Sequence, residues 1–295
     1  MKTENRVWRL FGHILYLLFT LACILPFVLL VVSSFTDENV IVQNGFSFFP
    51  SEFSMAAYDY LWKGGSEIFS AYGITVFVTV FGTAISLIIT SLLAYPISRG
   101  DYPVRNYMAF AVFFTMLFNG GLVPSYLMYT QLFDIKNTIW ALIVPGLLMN
   151  GFNVMLMRTF FQTSIPMPVI ESAKIDGAGE WRTFSSIVLP LSMPIMATIG
   201  LFQTIIYWND WNNGMIYLTD SKLYGIQNLL NRILSDAQFL SSGDFGSYAS
   251  ELTSAAPVET VKMAIAVIGV IPILIAYPFF QKFYVKGIVV GSVKG

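Results

Sequence analysis

Residues 68–98 read IFSAYGITVFVTVFGTAISLIITSLLAYPIS, a run of 31 without an Asp, Glu, Lys or Arg. An α-helix rises about 1.5 Å per residue, so roughly 20 apolar residues cross the hydrocarbon core of a bilayer. The run is long enough to span. Five further charge-free runs accompany it, at 10–36, 106–133, 137–157, 183–209 and 263–281. Together the six hold 153 of the 295 residues, and all 33 charged side chains fall in the remaining 142. The fold class this predicts is an all-α membrane protein of six transmembrane helices, near 10–34, 70–98, 106–131, 137–158, 185–210 and 261–283, forming one transmembrane domain over 1–295.

Composition excludes several functions. The chain is 56% hydrophobic and 11% charged with a net charge of −1, so it has no basic surface for nucleic acid. Its one cysteine, Cys23, rules out an internal disulfide or a cysteine metal cluster, and its one histidine, His13, rules out a His-ligated metal or a Ser-His-Asp site. His13 reads as a packing or interfacial residue near the start of the first helix. The runs are continuous rather than alternating, which excludes a membrane barrel. The first run exceeds a signal-peptide core and no small-x-small cleavage site follows it, so it is expected to stay in the membrane. Apart from His13 the runs carry no ionisable Asp, Glu, Lys or His, and the chain has no phosphate loop. An ion-coupled secondary transporter and a membrane-embedded enzyme are both disfavoured, and the energy must come from another chain.

Lys and Arg are retained preferentially on the cytoplasmic side. With the N-terminus inside, the inner segments hold 11 Lys and Arg against 5 outside, while the acidic residues divide 5 inside and 12 outside. Both termini are therefore expected in the cytoplasm. Outside lie residues 37–67 and a longer loop, 211–260, with Gly-rich turns at 241–246 and a short helix expected near Pro257. Inside, the only sizeable segment is the loop 164–190.

That loop reads SIPMPVIESAKIDGAGEWRTFSSIVLP. Ser164 with Pro166 signals a helix start, and Gly177-Ala-Gly179 supplies a stop, since Gly readily adopts the positive φ of a C-terminal cap. A second helix is expected from Glu180 to Leu189, where it meets Pro190. Ala173 and Gly177 fall four apart on one face, so a partner can approach closely, and Glu171 offers a carboxylate for a bidentate Arg. The alternative is a solvated hairpin that only links two spans.

Glu171-Ser172-Ala173, three residues, Gly177, nine residues, then Ile187-Val-Leu-Pro190 resembles the EAA signature of the membrane subunits of binding-protein-dependent ABC importers, with Ser172 in place of the middle Ala. Asn119-Gly-Gly-Leu-Val-Pro-Ser-Tyr, Asn137-Thr-Ile-Trp-Ala-Leu, Trp208-Asn209-Asp210 and the tail from Val285 to Gly295 are similar to the carbohydrate-uptake subgroup, to its maltose-type second permease and more closely to relatives serving complex or acidic oligosaccharides. The resemblance implies a type I importer permease fold. It implies as partners a second homologous permease, two ATP-binding subunits, an extracytoplasmic solute-binding protein, the lipid bilayer and a sugar or oligosaccharide. It implies no catalytic residue, metal or cofactor in this chain, with ATP and Mg bound by the partner ATPase. Glu171, Ser172, Ala173, Asp176 and Gly177 would form the ATPase-coupling contact, the 211–260 loop would approach the binding protein, and Gly291–Gly295 would reach toward the ATPase. A permease for amino acids or peptides is the alternative within the same superfamily.

Candidates for a substrate path are Asn150, Asn153, Tyr207, Trp208, Asn209 and Asp210. Polar groups at membrane depth face the bundle interior, yet hydrogen bonding between helices accounts for Asn150 and Asn153 equally well. Trp208 reads either as a stacking surface for a sugar or as an interfacial anchor. Pro26, Pro96, Pro145 and Pro272 are placed to kink helices.

Overall fold

A computed structural model describes residues 4–63, 65–241 and 258–292, and helices account for most of it. One compact unit comprises Met1–Glu67 and Leu230–Pro272, the other Ile68–Leu229 and Ile273–Gly295.

The first unit begins with α1 (Glu4–Ser34), whose apolar side chains point outward around the whole circumference from Trp8 to Val31. A helix apolar on every side and left exposed by the other described residues is suited to lipid or to another subunit. Past α1, Phe35 stacks on Tyr58 at 4.8 Å and the Ser34 hydroxyl meets the Tyr58 hydroxyl at 2.8 Å. Asp37 caps α2 (Glu38–Asn44) by accepting from the Asn39 amide, and α3 (Ala56–Lys63) follows. The Glu38 carboxylate accepts from the backbone N–H groups of Glu259 and Thr260, at 2.8 and 2.9 Å, and from the Thr260 hydroxyl. An anion thus sits on the open amides at the start of the last helix, where the helix dipole favours it.

The second unit takes up α4 (Gly65–Ser98), whose buried positions are mostly small: Ala71, Thr75, Thr79, Gly82, Thr83, Ser86, Thr90, Ser91 and Ala94. Small residues let neighbouring helices approach closely where the bilayer supplies no hydrophobic drive. Next come α5 (Arg105–Leu117) and α6 (Leu122–Leu127), continued by a π turn over Met128–Leu132. Then follow α7 (Trp140–Ile143), α8 (Gly151–Ser164), α9 (Met167–Ile175), α10 (Glu180–Thr183), a π turn at Phe184–Val188, α11 (Leu189–Leu191) and α12 (Met193–Trp208). Later in the chain lie α13 (Asn212–Tyr217), a 3₁₀ turn at Ser221–Leu223, α14 (Ile226–Ser241) and α15 (Val258–Ser292), with α14 from Leu230 and α15 up to Pro272 belonging to the first unit.

Among the described residues three helices are long and apolar enough to cross a membrane, Trp8–Ser34, Gly65–Ser98 and Val258–Pro278, and the number is up to five if each of two bent pairs is one span. Three of the expected helices are not continuous. The helix expected at 106–131 breaks at Phe118–Gly121 and bends by 115°, because Gly121 takes φ 86° and the Asn119 carboxamide accepts from its amide at 2.8 Å. The helix expected at 137–158 is interrupted between Ile143 and Gly151: Pro145 has no amide to give, Gly146 takes φ 70°, and Asn150 caps a new helix. The helix expected at 185–210 begins with the run Glu180–Leu191, which passes through Pro190 instead of stopping there, and bends by 77° into α12.

Further boundaries move. Ser164 ends α8 instead of opening the loop helix, which Pro166 precedes. The residues expected to form a separate short helix after Pro257 are the first turn of α15, which extends past the expected 283. The glycine turns at 242–246, Pro257 itself and the tail at 293–295 lie outside the described residues.

Candidate functional site

The signature stretch folds as a helical hairpin with a defined corner. Gly177 stands at φ 74°, the Ala178 amide donates to the Ala173 carbonyl at 2.9 Å and the Gly177 amide to Lys174 at 3.0 Å. These are the paired bonds of a Schellman cap, which closes the open carbonyls of α9 and turns the chain into α10. Ile170 packs into the core formed with Ile97, Val154, Met157, Phe161 and Phe184, and Ala173 is buried. The other side of the hairpin is bare: Met167, Val169, Glu171 and Trp181 are exposed, and Ile175 is 85% exposed. Ser172 donates its hydroxyl back to the Pro168 carbonyl at 2.7 Å, which occupies it within its own helix. Glu171, Ser172, Asp176 and Gly177 are exposed, while Ala173 is buried.

Sequence reasoning missed what holds the hairpin. Arg99, one residue beyond α4, places Nε 3.0 Å and Nη2 2.8 Å from the two carboxylate oxygens of Asp101. The Lys174 ammonium lies 2.9 Å from Asp101 and 3.2 Å from Glu180, and the Tyr95 hydroxyl donates to Glu180 at 2.7 Å. Arg158 and Gln162 of α8 donate to the carbonyls of Ile97 and Ser98, closing the end of α4. A cavity of about 340 Å³ beside the cluster is lined by Tyr95, Pro96, Arg99, Asp101, Tyr102 and Glu180. The available signal was weak: charges at the ends of apolar runs, in a chain with few charges.

The Arg99 guanidinium, then the Lys174 ammonium, hold the Asp101 carboxyl well below the usual carboxylate range. A depressed folded value means that the contribution of Asp101 is present in full above its ordinary value of about 4 and is lost as pH falls through the folded one. The melting temperature of the wild type in detergent should exceed that of Asp101→Asn at pH 7, and the gap should close on acidification below about pH 4. A gap independent of pH would show that the carboxylate charge contributes nothing.

Of the candidate path residues, Tyr207 and Asn150 stand at the break after α7, and Asn153 meets it through Gln203. Three carbonyls freed there each receive a side-chain donor: Ile143 from the Tyr207 hydroxyl at 2.9 Å, Pro145 from the Asn213 carboxamide at 2.9 Å, and Leu147 from the Gln203 carboxamide at 2.8 Å. Irregular backbone at membrane depth needs such internal partners. The Gln203 carboxamide also donates to the Ser86 hydroxyl and accepts from Asn153, which is buried. The Asn150 carboxamide accepts from the Phe152 amide and caps α8. Trp208 is buried with its ring 6.2 Å from Tyr72, so it is no exposed anchor. Asn209 is exposed and donates back to the Ile205 carbonyl. Asp210 accepts from the Asn213 amide. Asn137, with φ 53°, accepts from the amides of Thr219 and Asp220.

Broken apolar spans around a buried polar layer, with a capped hairpin bearing the signature, define a multi-pass membrane permease. The chain belongs to the family of binding-protein-dependent transport system inner membrane components, whose model matches residues 106–290. It is similar to the polygalacturonan/rhamnogalacturonan transport system permease protein YtcP of Bacillus subtilis (strain 168), 42% identical over 292 residues that cover 97% of this chain and 99% of that one. The melibiose/raffinose/stachyose import permease protein MelC of the same organism is 27% identical, over 92% of this chain and 91% of its own. In three dimensions the chain is similar to one in the crystal structure of a bacterial ABC transporter that imports the acidic polysaccharide alginate, with a TM-score of 0.79, 28% identity and coverage of 95% and 98% of the two chains.

Proposed function

We propose that this chain is the transmembrane permease subunit of an ATP-driven, binding-protein-dependent importer of an acidic oligosaccharide in a bacterial cell membrane. It spans the membrane six times with both termini in the cytoplasm, the broken segments counting as single crossings. A second permease completes the path, two ATP-binding subunits carry ATP and Mg, and a solute-binding protein delivers the sugar from outside. This chain itself holds no cofactor. The substrate class rests on the likeness to permeases named for galacturonan and alginate uptake, and no relative reported above is named for amino acids or peptides.

The single observation that carries the coupling role is the bare outer side of the hairpin, where Glu171 stands among exposed apolar groups while Ile170 and Ala173 anchor the helix from beneath. An amphipathic helix offered in this way fits a groove on another protein. Closure of the ATPase pair on ATP moves that groove and the hairpin with it. The permease bundles then turn from inward-open to outward-open as the binding protein releases sugar.

Glu171→Ala should lower oligogalacturonate uptake on the order of tenfold, as loss of a charge-assisted contact worth about 1.4 kcal/mol implies, without reducing the amount of chain inserted. Unchanged uptake would remove Glu171 from the coupling contact. Gentle purification of the tagged chain followed by mass spectrometry checks the assembly. Recovery without any ATP-binding subunit would count against the importer reading.

A further inference from the structure

Covalent continuity alone carries a displacement of the hairpin into α10, α11 and α12; α4 is joined to the hairpin only by side chains. We infer that the cluster of Tyr95, Arg99, Asp101, Lys174 and Glu180 is a strut that makes α4 move with α9, so that Lys174 and Glu180 are positioning residues for transport. The inference rests on the coupling role proposed above.

Three elements meet in the cluster. Asp101, just past α4, is gripped by Arg99 from its own segment and by Lys174 from α9. Glu180, opening α10, is gripped by the same Lys174, by the Tyr95 hydroxyl of α4 and, at 3.7 Å, by Arg99. Each carboxylate thus takes donors from two elements, and the fork of Arg99 fixes the plane of one of them. The Arg99 side chain is 8% exposed, so its position is set by packing as well as by charge. An isolated exposed ion pair contributes little to stability. A closed network with a buried guanidinium at its centre instead restricts geometry, and contiguous networks of this kind carry displacement between elements. Lys174 is the member that joins both carboxylates, and it lies on α9 between the anchored Ile170 and Ala173 and the bare Ile175.

The test uses the assembled importer in proteoliposomes, with oligogalacturonate as the probe, and reads sugar taken up per ATP hydrolysed. Lys174→Met should keep the ATP-binding subunits bound and hydrolysing while the ratio falls about fivefold, within the range that coupling mutations produce. Lys174→Arg, which keeps the charge, should restore most of the ratio, a result that loss of folding would not give. A ratio equal to wild type in Lys174→Met, or loss of the ATP-binding subunits from it, overturns the strut. A second readout needs no sugar: spin labels at Tyr102→Cys and Arg182→Cys in a Cys23→Ser background. Their distance distribution should stay narrow and unshifted by ATP in the wild type, and should broaden with Lys174→Met. If the wild-type complex assembles and hydrolyses ATP but takes up no oligogalacturonate, the substrate assignment fails and the spin-label distances still decide the strut. If no ATP-binding subunit assembles with the wild type, the coupling role falls and the strut with it.

Discussion

Gly82→Val should leave little correctly folded chain in the membrane. A Cβ at Gly82 would lie 2.5 Å from Cζ of Tyr207 and 2.8 Å from two further ring carbons, and this ring has nowhere to go. Tyr207 is buried, and its hydroxyl is held by the Ile143 carbonyl at the break after α7. Pushing the ring aside adds a hydrogen-bond loss to the steric cost. Overpacking costs about 1–3 kcal/mol and an orphaned buried polar group about 1–3 more, together a large part of the stability of an ordinary domain. The control is Gly73→Val on the same helix, where a Cβ meets nothing within 4 Å. Thermal melting in detergent, with the yield of monodisperse protein, should separate the two clearly. Equal behaviour would mean that α4 and α12 are not packed as described.

Gly177→Val should abolish uptake by a different route. Nothing lies within 4 Å of the added Cβ, so the whole effect is conformational: φ 74° is a region that β-branched residues hardly enter. The penalty of about 1–2 kcal/mol or more falls on the two bonds that close α9, and the corner that aims α9 opens. Insertion should be normal, since the core beneath the hairpin is untouched, while uptake drops to background. Gly177→Asn tells the two possible reasons for this glycine apart, because Asn tolerates the left-handed conformation. Retained uptake in Gly177→Asn would assign the glycine to the turn; loss in both variants would assign it to close approach by the ATPase.

The hairpin was legible because its determinants are local. A glycine pair after a short amphipathic stretch specifies a cap, and the structure has that cap at the expected residue. The charge-free runs were legible for a similar reason: hydropathy and length alone decide whether a helix suits a bilayer. Continuity within a run is a different matter. Asn119-Gly-Gly and Pro145-Gly146 stand inside apolar stretches without introducing a charge, so length made single helices of what the structure breaks. The breaks survive because donors arrive from far along the chain, as with Gln203 reaching Leu147, 56 residues away. The ion cluster was illegible for the same reason: Lys174 meets Asp101 across 73 residues. Trp208 shows the limit of residue statistics. A tryptophan at the end of a span is commonly an anchor, but here it is buried beside Tyr72.

The break after α7 also bears on selectivity. Water is absent from the middle of a bilayer, so the chain supplies substitutes for it in the hydroxyl of Tyr207 and the carboxamides of Asn213 and Gln203. A hydroxyl proton already given to a main-chain carbonyl cannot also greet a passing sugar, and both Gln203 N–H groups are spoken for, by Leu147 and Ser86. The donor hydrogens of Tyr207 and Gln203 are thus already committed within the chain. Exchanging substrates between related importers should therefore be easier to engineer by changing other surfaces than by touching this layer.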